Sequence, residues 1–227
     1  MTGVTVFRVL RHAGVLLLTC GLSSGASALE VRILGGDDKP LPGAVISASE
    51  TPHGPPPLPE TAVIDQREKR FEPYVTVVAP GAAIEFPNSD DTRHHVYSFS
   101  PGNSFELKLY RTGEAPPVVF ETPGTVTLGC NIHDNMKAYV VVADDPAIAL
   151  SDAAGLAALA WLPAGNAVTL SVWHPQQEVP VKFELSAAET ADGSVTLQLP
   201  VVWSDPQAVK STEQLESLLK RFSRDAD

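Results

Sequence analysis

Three residue types that bind soft metals stand close together in one short segment of the chain. The segment contains Cys130, His133 and Met136 at the spacing Cys-x-x-His-x-x-Met. The only other cysteine and methionine are Cys20 and the initiator Met1. A copper ion that changes between Cu(I) and Cu(II) is bound well by a thiolate and two imidazoles in one plane with a weak axial thioether. The segment supplies three of these ligands, so the second imidazole must come from elsewhere.

An upstream segment contains two adjacent histidines, His94 and His95, and each is a candidate for the missing ligand. Successive side chains of a β-strand point to opposite faces of the sheet. Only one of the two imidazoles can therefore point easily at a shared metal. The alternation alone leaves both histidines open as candidates.

Short apolar or alternating runs, separated by Gly, Pro, Asn and Asp, extend over most of the chain and predict an all-β sandwich or barrel. The expected strands are 30–34, 44–48, 74–78, 83–86, 96–99, 118–120, 126–128, 138–142, 168–172, 181–185 and 195–199. Strand and turn are also expected near Gly155 and Pro163 rather than a helix. The segment with Cys130 falls between two expected strands and is predicted to be a tight loop at one end of the sandwich.

The middle of the chain, roughly 71–143, resembles the plastocyanin and amicyanin family of cupredoxins and proteins labelled methylamine-utilisation protein. The resemblance is carried by Phe86-Pro87-Asn88, by His94-His95-Val96-Tyr97-Ser98-Phe99 and by Gly129-Cys130-Asn131-Ile132-His133. The Cys-x-x-His-x-x-Met spacing is that of amicyanin's short loop. The resemblance implies a Greek-key β-sandwich with one type 1 copper ion.

The resemblance also implies a role for each candidate ligand. His94, Cys130 and His133 match the three equatorial ligands of the family, and Met136 matches the weak axial one. The spacing from Asn88 to His94 is the family's, so we favour His94 as the ligand and keep His95 as the alternative. His95 departs from the family's pattern, which usually has Asn or Thr there.

The residues on either side of this region resemble a second family, the carboxypeptidase-regulatory-like, transthyretin-like β-sandwich. The resemblance is carried by Lys39-Pro40-Leu41-Pro42-Gly43-Ala44 and by Leu162-Pro163-Ala164-Gly165. We therefore expect a cupredoxin domain at 61–143, inserted in or packed on a second, discontinuous sandwich formed by 29–60 and 144–203. The alternative is one extended sandwich with additional strands.

Both ends of the chain have their own patterns. Residues 1–28 read as a signal peptide, with Arg8 and Arg11 before an apolar run and Ala26-Ser27-Ala28 as the cleavage site. A lipoprotein anchored through Cys20 and a transmembrane anchor are the alternatives. Residues 204–227 predict a short C-terminal helix. The expected location is periplasmic or secreted, with no stable membrane insertion after the signal is removed.

Composition and charge limit the classes of partner and function that we expect. The net charge of −11 argues against nucleic acid as a partner and favours a basic protein partner. We expect a one-electron carrier that exchanges electrons with redox proteins such as a cytochrome or a dehydrogenase. Copper storage, delivery or sensing is the alternative. A copper enzyme is not expected, because Cys130 is flanked by Gly129 and Asn131 and no His-x-His pair signals further copper centres.

Overall fold

The computed structural model describes residues 28–48, 57–110, 115–144, 147–177 and 179–205. These residues form β-strands and no helix, so the all-β prediction is confirmed. Within these ranges no helix has the length and apolar character needed to cross a membrane. Residues 1–27 of the expected signal peptide and nearly all of the expected C-terminal helix lie outside the described residues.

The strands are, in chain order, β1 (Ala28–Leu34), β2 (Val45–Ala48), β3 (Thr61–Val63), β4 (Asp65–Arg67), β5 (Arg70–Glu72), β6 (Val75–Val78), β7 (Ala82–Glu85), β8 (His94–Ser98), β9 (Phe105–Tyr110), β10 (Val118–Phe120), β11 (Gly124–Cys130), β12 (His133–Val142), β13 (Ile148–Leu150), β14 (Leu156–Pro163), β15 (Val168–Trp173), β16 (Val181–Leu185) and β17 (Ser194–Gln198). Strands β3, β4, β5, β9 and β13 are not predicted by the apolar runs of the sequence. The expected loop from Cys130 to Met136 is shorter than predicted, because both Cys130 and His133 belong to the β11–β12 ladder.

Strands β3 to β12 form what we call the central sandwich. One sheet has the order β6-β12-β11-β8-β9, the other has the order β10-β7-β3, and β4 and β5 form a separate hairpin. Apolar side chains from both sheets form one core, among them Ile84 and Phe120 from the smaller sheet and Val96 and Leu128 from the larger. Burial of these side chains stabilises the sandwich and fixes the face of each strand.

Strands β1, β2 and β13 to β17 form what we call the flanking sandwich. Its sheets have the orders β14-β1-β17 and β13-β2-β15-β16. Its core is a second cluster that shares no residue with the central core and includes Leu29, Ile46, Leu159, Leu170 and Leu197. Strands that precede the central sandwich in the chain therefore pair with strands that follow it.

Aromatic residues join the two sandwiches. Tyr139 of the central sandwich lies 5.9 Å from Trp173 of the flanking sandwich, and Tyr74 lies 5.7 Å from Trp203, measured between ring centroids. We call these four residues the aromatic seam. Edge-to-face and tilted rings at such distances attract each other beyond their buried area.

Candidate metal centre

Three adjacent strands of the larger central sheet bring the candidate ligands together. His94 begins β8, Cys130 ends β11 and His133 begins β12. Cys130 is opposite Val96 on one side and opposite His133 on the other, and the β11–β12 register shifts between Gly129 and Cys130. This shift at the strand end lets residues from both neighbouring strands converge on the thiol.

The atoms of the three side chains are spaced for a shared metal ion. Cys130 Sγ lies 3.7 Å from His94 Nδ1 and 3.7 Å from His133 Nδ1, and all three atoms lie within 4.8 Å of one another. A metal at about 2.0 Å from nitrogen and about 2.3 Å from sulfur, as zinc is bound, places the two atoms about 3.7 Å apart at a trigonal angle. The separations therefore fit an ion between the three side chains.

A carboxylate orients the first imidazole. His94 is fully buried, and its Nε2 lies 2.7 Å from Asp90 Oδ2. A carboxylate only accepts hydrogen bonds, so Nε2 carries the hydrogen and Nδ1 keeps a free lone pair toward Cys130. Burial raises the pKa of Asp90, but hydrogen bonds from the Lys69 amide, His94 and the Glu68 amide outweigh it, and the pKa lies below its usual value. The acceptor is therefore ionised at neutral pH.

The second imidazole is closer to solvent. His133 is half-buried. Partial burial is the main reason why its pKa is lowered, electrostatic interactions with His94 and Lys69 lower it further, and the Asp90 carboxylate opposes them. A lowered pKa keeps the imidazole neutral near pH 7, which is the form that offers a lone pair to a metal.

Met136 and His95 are placed very differently. Met136 is fully buried on β12 and belongs to the same core cluster as Cys130. His95 points to the opposite face of β8, where its Nε2 lies 2.9 Å from Glu106 Oε1. The structure thus brings His94 to Cys130 and does not bring His95 there, because side chains alternate along the strand.

A buried polar network supports the segment that leads to His94. Asn88 donates from Nδ2 to the carbonyls of Thr92 and Tyr110, and the Asp90 amide donates to Asn88 Oδ1. Gln66 donates to the Tyr110 hydroxyl, which donates to the Phe86 carbonyl. Burial raises the pKa of Tyr110 to about 12, so the phenol stays protonated as this donor.

Sequence reasoning did not find Asp90, Gln66 or Tyr110. The only local signal for Asp90 is its position four residues before His94, and the adjacent Asp91 is equally acidic. Gln66 lies in the unpredicted strand β4, so nothing in the sequence links it to the site.

The donor set fits copper. Two imidazole nitrogens and one thiolate, with a buried thioether on the same strand as His133, combine soft and borderline ligands. Within the described ranges this is the one group of three or more His, Cys, Asp or Glu side chains whose ligand atoms lie close enough for a shared ion.

Comparisons with known proteins give matches in structure only. No protein-family model matches the chain, and no curated protein sequence matches it. Part of the chain is similar to a copper-containing nitrite reductase from Thermus scotoductus SA-01, with 25% identity, a TM-score of 0.35 and coverage of 39% of this chain. The match spans 23% of the length of that enzyme.

Two small copper proteins are matched over nearly their whole length. A purple cupredoxin from Nitrosopumilus maritimus has 20% identity and a TM-score of 0.33, with coverage of 36% of this chain and 99% of that chain. A mutant amicyanin in its reduced Cu(I) form has 20% identity and a TM-score of 0.33, with coverage of 43% and 98%. Cupredoxins, which the sequence resembles, are thus among the solved structures similar to part of this chain.

Proposed function

We propose that the protein is an exported mononuclear blue-copper protein that carries one electron at a time between redox proteins. The observation that carries the proposal is the convergence of His94 Nδ1 and His133 Nδ1 on Cys130 Sγ, each at 3.7 Å. Copper bound by these residues supplies a one-electron Cu(I)/Cu(II) couple. Met136 is the proposed axial ligand.

Strand pairing supports the carrier function. His94 and Cys130 lie on paired strands, and Cys130 and His133 are opposite each other across the β11–β12 ladder. Ligands fixed by the hydrogen bonds of one sheet change position little when the charge of the site changes. A small rearrangement favours rapid electron exchange.

The exposure of the ligands supports an electron path through His133. His94 and Cys130 are buried, whereas His133 is half-buried beside Ile132, whose side chain is 47% exposed. A redox partner that contacts Ile132 and His133 would lie one imidazole away from the thiol. The net charge of −11 favours a partner with a basic surface, and we propose a cytochrome or a dehydrogenase.

The proposed location is the periplasm or the extracellular space. The pattern of residues 1–28, with two arginines before an apolar run and a small-residue cleavage site, supports export. We propose an electron carrier rather than a copper enzyme of the nitrite reductase or oxidase kind. Such enzymes need further copper centres, signalled by a histidine that flanks the cysteine, whereas Cys130 is flanked by Gly129 and Asn131.

Copper delivery is the competing function, and the partial exposure of His133 is the observation that favours it. The two functions differ in the lifetime of the Cu(I) form. The test is to reduce the copper-loaded protein, to measure electron exchange with a small redox reagent by stopped flow, and to challenge the reduced protein with a Cu(I) chelator. Cys130→Ser is the control for adventitious copper.

An electron carrier is expected to exchange electrons within milliseconds to seconds and to retain Cu(I) for far longer than that. Slow electron exchange, together with rapid loss of Cu(I) to the chelator, would instead show that the protein delivers copper.

A further inference from the structure

Asp90 connects the candidate metal centre to a hairpin that the apolar runs do not predict. Its Oδ2 lies 2.7 Å from His94 Nε2. The same carboxylate accepts the Glu68 amide on Oδ1 at 2.6 Å and the Lys69 amide on Oδ2 at 2.9 Å. The side chain of Asp90 is 13% exposed. The carboxylate is therefore held by two backbone donors on one side and presents its charge to a buried imidazole on the other.

The hairpin has an unusual backbone for its sequence. Strands β4 and β5 are joined by a two-residue turn, in which Glu68 has a φ of 53° and Lys69 has a φ of 59°. Positive φ at both central residues defines a type I′ turn, which Asn-Gly favours and which costs other residues energy. Consecutive amides in the left-handed region can point to one anion, as they do here.

The hairpin is also anchored to the segment that leads to Asp90. The Gln66 amide donates to the Pro87 carbonyl at 3.0 Å, and the Ser89 amide donates to the Gln66 carbonyl at 2.9 Å. Ser89 also donates from its hydroxyl to Asp65 at 2.8 Å. The hairpin and the segment before His94 thus form one hydrogen-bonded unit around Asp90.

We propose that Asp90 is a positioning residue of the metal centre, whose carboxylate fixes His94 with Nδ1 toward the metal and whose charge favours the oxidised site. This inference rests on the proposed function. A carboxylate that accepts a hydrogen bond from a metal-binding imidazole makes the imidazole a stronger donor. Because Cu(II) carries one more charge than Cu(I), Asp90 lowers the reduction potential and slows the loss of Cu(II).

The test compares Asp90→Asn with Asp91→Asn in the copper-loaded full chain. The two variants remove the same charge from adjacent positions, and Asp91 is exposed. Loss of a hydrogen-bond partner of a metal ligand typically lowers metal affinity about 10-fold to 100-fold. If Cu(II) affinity falls about tenfold more than Cu(I) affinity, the midpoint potential of Asp90→Asn rises by about 59 mV. The midpoint potential of Asp91→Asn is expected to be nearly that of the wild type.

One spectroscopic measurement and two further variants distinguish a positioning role of Asp90 from a general loss of structure. Pulsed EPR of the Cu(II) form reports the remote imidazole nitrogen, and its quadrupole coupling is expected to change in Asp90→Asn but not in Asp91→Asn. Asp90→Ser replaces Asp90→Asn if the latter does not fold. Glu68→Asn keeps both amide donors and the charge of Lys69, and Glu68 is exposed, so this turn variant is expected to keep nearly the wild-type potential.

The outcomes distinguish this inference from the proposed function. A wild-type protein without a thiolate-to-copper band overturns both. A wild-type protein with that band, but with equal potentials, Cu(II) release rates and EPR couplings in Asp90→Asn and Asp91→Asn, overturns the role of Asp90 alone. A potential shift in the turn variant as large as that of Asp90→Asn would show a general charge effect and would contradict the positioning role of Asp90.

Discussion

The three clustered ligand residues differ in how far solvent reaches them. His94 and Cys130 are buried, whereas His133 is half-buried. His94 is also fixed through Nε2 by Asp90, while its Nδ1 faces Cys130 Sγ. At the residue scale, we therefore propose that His94 and Cys130 would define the position of the ion and that His133 would connect it to the surface.

Substitution of Met136 distinguishes a role as a metal ligand from a role in core packing. Met136→Leu conserves volume, so the free energy of unfolding of the metal-free protein is expected to change by less than about 1.5 kcal/mol. The axial ligand tunes the potential of a blue-copper site. Loss of the thioether removes electron donation that Cu(II), with its higher charge, needs more than Cu(I) does, so we expect a higher reduction potential and a shifted visible spectrum. Voltammetry and absorption of the copper-loaded variant measure both. An unchanged potential and spectrum would show that Met136 only fills the core.

His174 gives a pH dependence that is independent of the metal centre. Its Nδ1 accepts the Gln176 amide and its Nε2 donates to the Pro42 carbonyl, so the imidazole is neutral. Burial lowers its pKa from 6.5 to about 4. The unfolded chain therefore binds more protons between pH 6.5 and 4. The stability from a neutral His174 is complete above pH 6.5 and falls with pH, by about 3 kcal/mol near pH 4.

The measurement is urea denaturation of the metal-free protein between pH 7 and 4, with His174→Gln as the control. The control keeps a neutral donor and acceptor but does not titrate in this range. Its stability is expected to fall less steeply than that of the wild type. Parallel curves for the two proteins would contradict the buried, neutral assignment of His174.

Residue types made part of the site predictable. Cys130, His133 and Met136 are scarce residues that share one segment, and the structure brings two of them together with His94. Asp90 could not be predicted in the same way, because its role depends on amides of a hairpin whose turn is Glu68-Lys69 rather than Asn-Gly. Backbone amide donors are common to all residues except proline, so the sequence gives no signal for them.

At the element scale, one strand decides between two histidines. Along β8 the burial alternates, with His94, Val96 and Ser98 buried and His95 and Tyr97 half-buried. The core needs Val96 inside, so His94 is also inside. The apolar pattern of β8 therefore selects the residue that faces Cys130.

The pair formed by Gly129 and Tyr97 across β11 and β8 gives a test of local packing. A Cβ at Gly129 would lie 2.8 Å from Tyr97 Cζ, so Gly129→Ala forces the ring to move. We expect the free energy of unfolding to fall by about 1 kcal/mol, the low end for overpacking, because the contact is with the tip of a half-buried ring. Tyr97→Ala removes the clash, so the double variant is expected to lose less than the sum of the single variants.

Urea denaturation of the four proteins in this cycle gives the coupling energy. Gly36→Ala is the matched control, because the nearest atoms to its added Cβ are 3.8 Å away and it should change stability little. Additive losses for Gly129→Ala and Tyr97→Ala would show that the two positions are not in conflict.

Strands with an apolar face were predictable, and charged ones were not. The expected strand 181–185 has the observed bounds, because Val181, Phe183 and Leu185 alternate with charged residues. Phe71 is the only apolar residue of the β4–β5 hairpin, and it is fully buried. The polar sequence gives no periodic signal, since hydrogen bonds to groups such as the Pro87 carbonyl and the Asp90 carboxylate hold the hairpin in place.

At the scale of the whole molecule, the central sandwich begins and ends at neighbouring points of the flanking sandwich. The Ala48 amide donates to the Ala147 carbonyl at 3.0 Å, and β2 pairs with β13 on either side of the intervening segment. Insertions are tolerated where the ends of a loop lie close together. We propose that residues 61–143 are a domain inserted into a discontinuous sandwich of 29–60 and 144–203.

Removal of residues 49–146 and their replacement by a short Gly-Ser loop tests this division. The flanking sandwich is expected to fold, because the removed segment contributes no strand to its two sheets and no residue to its core. The core residues next to the cut, Ala48 and Ala147, are both retained. Loss of the aromatic seam is expected to cost about 1–3 kcal/mol. Circular dichroism and urea denaturation measure the outcome.

A chain shortened in this way that shows no cooperative unfolding would contradict the insertion. The matched control removes 192–201 instead. This control takes β17 from the sheet β14-β1-β17 and is expected to abolish cooperative unfolding of the flanking sandwich.

The organisation of the whole chain was only partly visible in the sequence. The resemblance of Lys39-Pro40-Leu41-Pro42-Gly43-Ala44 to the first hairpin of a second family indicated that both outer segments belong together. The aromatic seam could not be predicted, because Tyr74 and Tyr139 come from the central sandwich, whereas Trp173 and Trp203 come from the distant C-terminal part. Contacts between residues that are far apart in the sequence give no periodic pattern in the sequence.

The visible and EPR spectra of the Cu(II)-loaded protein, compared with those of Cys130→Ser, test the central claim most directly. A thiolate ligand in the trigonal site is expected to give an intense visible charge-transfer band in the wild type. The band is expected to be absent in Cys130→Ser, which keeps both imidazoles but has no thiolate. Uptake of Cu(II) by the wild-type protein without such a band would contradict the blue-copper site.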